Sequence, residues 1–235
     1  MQLPFTINQF IGVFTTYNNA IGLLPLVAYA LGALAVFSAV RGPRGSERLV
    51  PVTLAAMWGW TGVVYHLMHF SAINPAARLF GLAFVVQAVA FSIEAYRGRL
   101  RFGFSLRDAR SRMGMVMVAF SMVVYPLVGM LSGHGYPNGP VFGLTPCPLV
   151  IFTFGMLLLS ERTMPKYLVA IPLLWALVGS TAAFSLGIRE DTGLLVSALL
   201  GTTMLVTRRT TAVAEIAKTH GKSAAPRVLR TLNSR

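Results

Sequence analysis

The chain has 235 residues, of which 55% are hydrophobic and only 11% charged, and a mean hydropathy of +0.66. That excludes an ordinary water-soluble domain, which carries about 25% charged residues, and it predicts a multi-pass membrane protein. The formal net charge of +13 does not imply nucleic acid, because the charges sit in gaps between apolar runs, and the single cysteine excludes an intrachain disulfide, a zinc ribbon and a CxxC redox pair.

Residues 1–19 form an outer-surface segment. The start, "MQLPFTINQF", has no basic region and no small-residue cleavage site before an apolar run, so no cleavable signal peptide is expected. Ile7, Phe10, Ile11 and Phe14 recur at helical spacing within 6–17. This predicts a short amphipathic helix lying on the outer surface of the bilayer.

Residues 20–207 form the membrane domain. Seven apolar runs follow in order, at about 20–40, 49–70, 77–96, 113–132, 145–160, 167–186 and 192–207. Each is near the ~20 residues a transmembrane helix needs, and the fifth and seventh are the shortest. The expected fold is therefore an all-α bundle of seven transmembrane helices. A loose echo between "LPLVAYALGALAVFS" and "IPLLWALVGSTAAFS" reflects common membrane composition rather than an inverted repeat.

The gaps set the orientation. "RGPRGSER", "RGRLRFGFSLRDARSR", "ERTMPK" and the tail from 208 hold every Lys and Arg except Arg78 and Arg189. By the positive-inside rule the amino terminus is outside and the carboxyl terminus cytoplasmic. The tail, 208–235, is basic and polar. It reads as a cytosolic arm drawn to anionic lipid headgroups.

Orientation sorts the polar residues by depth. His66 and His69 lie near the outer end of the second span and share a face at i, i+3. His134 and Tyr136 are in the next outer loop, "GHGYPNGP", and Cys147 opens the fifth span at "TPCP". Glu190 and Asp191 are in the last outer loop, whereas His220 stands apart in the tail. Polar groups at one membrane level are costly unless they pair or meet water. Pro146 and Pro148 restrict the backbone around Cys147 to an extended entry or a first helical turn. Carbonyls left unpaired there need protein or a water-filled cavity. The loop and this entry together predict a lid over an outward-facing pocket.

The candidate binding residues are therefore His66, His69, His134, Tyr136, Cys147, Glu190 and Asp191. A metal set of His66, His69, His134 and Cys147 would suit zinc or copper. Each residue alone also fits a plain role: interfacial anchor for the histidines and tyrosines, packing for the thiol. Met113, Met115 and Met117 lie at the opposite end and alternate around their helix, which argues against a copper path. Haem would need His134 as a second ligand, because His66 and His69 on one helix cannot clasp it. Retinal is excluded, since Lys166, Lys218 and Lys222 all lie outside the last span. Gln87 and Glu94 are the other intramembrane polar groups, with Glu94 expected to pair with Arg97 or Arg99.

Several stretches together, "LPFTINQFIGVFTTYNNAI", "WTGVVYHLMHFSAINPAARLFG", "GRLRFGF", "YPLVGMLSGHGYP" and "FGLTPCPLVIFTFGMLLL", resemble an uncharacterised bacterial family of multi-pass membrane proteins, known as a domain of unknown function, family 6064. The resemblance covers about residues 2–207; it implies a multi-pass protein of the bacterial cytoplasmic (inner) membrane and no activity. From the residues, the leading expectation is binding or transport of a small solute or metal ion from the outer side. A structural or accessory subunit of a membrane complex, without a ligand of its own, is the second; as partners, a homo-oligomer and a membrane complex both stay open. A membrane-embedded metal-dependent hydrolase using Ser71, Ser132, His66, His69 and Asp191 is the third.

Overall fold

The computed structural model describes residues 4–161, 164–187 and 191–207. Among these the chain is helical, and its only β feature is an isolated antiparallel bridge between Phe102 and Ser160. The first helix, α1 (Ile7–Ile21), starts with a capping box. The Gln9 backbone N–H donates to the Thr6 hydroxyl at 3.3 Å, and the Thr6 N–H donates to Gln9 Oε1 at 2.8 Å. Two otherwise orphaned amide groups are thereby satisfied.

α1 differs from the expected surface helix over 6–17. It runs on to Ile21 and buries Val13, Phe14, Tyr17, Asn18 and Ile21. Phe14 stacks on Tyr65 at 5.6 Å, and Tyr17 meets the same ring edge-on at 5.4 Å. Its apolar face thus packs against Tyr65 and Phe70.

The bundle contains α2 (Leu24–Arg41), α3 (Pro43–Trp60), α4 (Ala77–Arg97), α5 (Ala109–Leu131), α6 (Pro146–Leu158), α7 (Tyr167–Leu186) and α8 (Thr192–Thr207). Leu24–Arg41, Ala77–Arg97, Ala109–Leu131 and Tyr167–Ser185 are four helices long and apolar enough to cross a membrane. α6 and α8 are apolar but shorter. α3 opens with charged turns and has non-helical Arg44 and Gly45 near its start. It continues as a π-helical segment, Thr61–His69. A second π-helical stretch, Phe120–Val124, interrupts α5.

α6 is the centre of the molecule. From Leu149 to Leu158 every residue is buried. The sequence marks this run as a short membrane span, and the structure wraps it in other helices. A helix apolar all round needs protein or lipid on every side, and its pattern alone cannot say which. Two polar ties hold it. The Trp58 indole N–H donates to the Thr153 hydroxyl at 3.0 Å, and the Ser121 hydroxyl donates to the Pro148 carbonyl at 2.8 Å.

Glycines set the closest helix crossings. A Cβ on Gly155 would lie 2.9 Å from the Gly114 carbonyl oxygen, and one on Gly62 would lie 2.9 Å from that of Gly81. Small residues permit this approach, as is usual between membrane helices. The outer faces are apolar, with Leu26, Phe37, Leu79, Leu82, Leu174 and Phe184 all exposed. Such a continuous apolar exterior suits hydrocarbon rather than water.

Candidate functional site

The site is built from the loop before α6 downward. Thr145 caps α6 in an extended conformation and Pro146 takes the first helical position, where its missing N–H costs nothing. The Thr145 hydroxyl accepts from the Val141 N–H at 2.9 Å and donates to the Val141 carbonyl at 2.8 Å. The loop folds inward at Gly139, where any Cβ would strike the His134 carbonyl. The peptide bond between Tyr136 and Pro137 is cis.

α1 fastens this loop. The Asn18 amide donates to the carbonyls of Pro137 (2.6 Å) and Gly139 (2.9 Å). The Tyr136 hydroxyl donates to the Asn18 carbonyl at 3.1 Å. The Thr15 hydroxyl donates to Asn138 at 2.8 Å. Tyr17 donates to the Leu144 carbonyl at 2.7 Å and accepts from the Trp60 indole at 2.8 Å. Burial pushes the Tyr17 hydroxyl well above the ordinary tyrosine range, partly offset by the Trp60 bond.

Between α1, this loop and α7 lies a cavity of about 350 Å³. Its walls are apolar and largely aromatic: Phe5, Phe10, Phe14, Phe70, Phe80 and Trp175. The polar groups on it include His134, Cys147 and Asp191. The exposed Pro4, Val178 and Thr181 stand at its rim. Asp191 is buried and accepts a short hydrogen bond from the Tyr125 hydroxyl at 2.5 Å. The Cys147 thiol meets Asp191, with Trp175 and Tyr125 beside it.

Three of the residues singled out from sequence thus meet in one cavity: His134, Cys147 and Asp191. Three do not line it. Tyr136 is 61% exposed and clamps the loop to α1. His69 Nδ1 lies 2.8 Å from the Val64 carbonyl, and its ring meets Tyr17 edge-on at 5.2 Å. His66 is fully buried behind the cavity wall, 4.7 Å from the Phe84 ring and 5.0 Å from Trp175. Glu190 lies outside the described residues.

The expected metal set of His66, His69, His134 and Cys147 is consequently not assembled. Among the described residues no three His, Cys, Asp or Glu side chains come together as ligands. The physical reason is the π-helical turn, which sends His66 into an aromatic cage while His69 stays on its own helix backbone. Neither ring nitrogen of His66 has a hydrogen-bond partner. An unmet buried polar group costs roughly 1–3 kcal/mol, so the cage carries an imidazole at some expense.

Sequence reasoning missed Tyr125 and Trp175. Both are aromatic residues inside apolar runs, where an indole or phenol reads as an interfacial anchor. The available signal was depth, since Tyr125 lies at the level of Cys147. At the other end of the bundle Glu94 pairs with Arg97 at 3.2 Å, as the sequence predicts, and also accepts from the Tyr167 hydroxyl.

A helical bundle with an apolar exterior, four helices able to cross a membrane and one aromatic cavity defines a protein of membrane type. The chain belongs to a family of unknown function, DUF6064, which matches residues 7–216. No curated protein and no solved structure matches it.

Proposed function

We propose that this is a seven-span membrane protein, amino terminus outside, that binds a small and mostly apolar solute carrying a cationic or hydrogen-bond-donating group. Four spans rest on length and composition. The other three are α3 with its π-helical continuation, the enclosed α6, and α8. The distribution of basic residues, with only Arg78 and Arg189 on the outer side, supports the orientation.

The cavity carries the reading. Its volume of about 350 Å³ lies within the range of small-molecule sites, ~300–1,000 Å³, which combine apolar walls with a few placed polar groups. Here Asp191, held by Tyr125 and touching Cys147, is the placed group. A carboxylate favours a cation or a donor, while Trp175, Phe80 and Phe10 offer faces for an apolar or cationic body. The rim at Pro4, Val178 and Thr181 gives entry between α1 and α7.

The test is a fluorescence titration of detergent-purified protein, since Trp175 stands in the cavity wall. Aromatic and aliphatic amines should shift the emission saturably, matched carboxylic acids should not, and Asp191→Asn should abolish the response. Equal responses to amines and acids, or an unchanged response in Asp191→Asn, would overturn the assignment.

A further inference from the structure

Beyond the cavity, a set of buried polar atoms without partners lies along one seam of the bundle. Glu94 Oε2, Gln87 Oε1, Thr61 Oγ1 and both ring nitrogens of His66 are all buried and unbonded. All four residues have no exposed surface. Buried polar atoms are nearly always satisfied, so unmet ones point to internal water or an ion.

They fall on the π-helical continuation of α3 and on α4, which pack on one another, with α7 against α4. Gln87 and Glu94 are seven residues apart on α4, two turns along one face, or about 10 Å. Leu168 and Trp175 have the same spacing on α7. The Gln87 amide donates to the Leu168 carbonyl at 3.1 Å, and Glu94 accepts from the neighbouring Tyr167. One turn before Gln87, Phe84 touches both His66 at 4.7 Å and Trp175 at 5.2 Å. Thr61 precedes His66 by five residues, the i→i+5 spacing of the π-helical hydrogen bonds. Its neighbour Gly62 abuts Phe84, since a Cβ there would lie 3.0 Å from Phe84 Cβ. Trp175 in turn faces Cys147, which meets Asp191.

We propose that this seam is a proton relay, running from Asp191 at the cavity through His66, Thr61 and Gln87 to Glu94 at the opposite end. Internal waters bound to the unmet atoms complete the row. The imidazole and the Thr61 hydroxyl can each donate and accept, Gln87 Oε1 orients a water, and Glu94 takes or gives the proton at the exit. Arg97, 3.2 Å from Glu94, and Tyr167 set the charge there, with Glu47 of α3 packed beside Gly98. Chains of Asp, Glu and His within membrane helices are the usual material of proton routes. The proposal rests on the membrane crossing argued above but not on the identity of any solute.

The experiment places the full-length protein in phosphatidylcholine–phosphatidylglycerol vesicles with a pH-sensitive dye inside. A valinomycin-imposed potassium diffusion potential drives proton movement. Flux above that of protein-free vesicles is expected, and His66→Phe, Thr61→Val and Glu94→Gln should each reduce it about tenfold or more. Ser92→Ala, which removes only a hydroxyl bonded to the Ala88 carbonyl of its own helix, should leave it unchanged. Elution profile and unfolding temperature identify which variants are folded. Flux no greater than in empty vesicles, or wild-type flux in the folded relay variants, would overturn the relay. Loss of amine binding with flux intact would overturn only the solute reading.

Discussion

The Tyr125 hydroxyl donates to the Asp191 carboxylate, joining the last turns of α5 to the residue before α8 at the wall of the cavity. Both groups are buried, so neither can exchange its partner for bulk water. Hydrogen bonds to charged groups contribute about 1.5–3 kcal/mol. Tyr125→Phe keeps the ring and removes the bond, and it should lower stability by about that much. Chemical unfolding in mild detergent, followed by tryptophan fluorescence, measures it. The same variant should weaken amine binding less than Asp191→Asn, because the carboxylate remains.

The Gly114–Gly155 crossing tests how tightly α6 is enclosed. A Cβ on Gly155 would sit 2.9 Å from a backbone oxygen that belongs to a different helix and cannot rotate away. Gly155→Ala should therefore destabilise by about 1–3 kcal/mol, and Gly155→Leu should prevent a monodisperse fold. Gly12, where a Cβ would meet nothing within 4 Å, is the matched control: Gly12→Ala should be neutral or slightly stabilising, as expected for a helix interior. Unfolding temperature and size-exclusion profile separate these outcomes.

Helix periodicity and apolar length gave the bundle, and the depth argument brought His134, Cys147 and Asp191 to one place. Depth did not reveal azimuth. His66 and His69 share a face in an α-helix, but the segment is π-helical, and no propensity in "TGVVYHLMH" announces that. Likewise "PLVIFTFGMLL" reads the same whether lipid or protein surrounds it, so the enclosure of α6 had to come from the structure. Tyr125 and Trp175 were hidden for a related reason, because their partners are distant in sequence.

Asn18 ties α1 to the loop beside the cavity. Its amide is shared by the Pro137 and Gly139 carbonyls, and Asn18→Leu would leave both without that donor. A net cost of about 1 kcal/mol per bond is expected. The larger effect should be local: faster amide hydrogen exchange over residues 133–140 and weaker solute binding, with the rest of the bundle unchanged. Exchange mass spectrometry checks both the location and the direction.

Orientation has its own direct consequence. If the amino terminus is outside, Asn138, which is exposed in the loop tied to α1, faces the outer medium, and Arg44, exposed at the start of α3, faces the cytoplasm. In a Cys147→Ser background, Asn138→Cys should react with a membrane-impermeant maleimide applied to intact cells. Arg44→Cys should react only after the cells are permeabilised. The reverse pattern would invert the topology while keeping the helix count. Labelling of both positions in intact cells would mean that an odd number of crossings no longer separates them, and the seven-span assignment would fall with it. The native thiol offers an internal reference: Cys147 lies among Asp191, Trp175 and Tyr125 at the cavity wall, so its labelling should be slow from either side and slower still when an amine occupies the cavity.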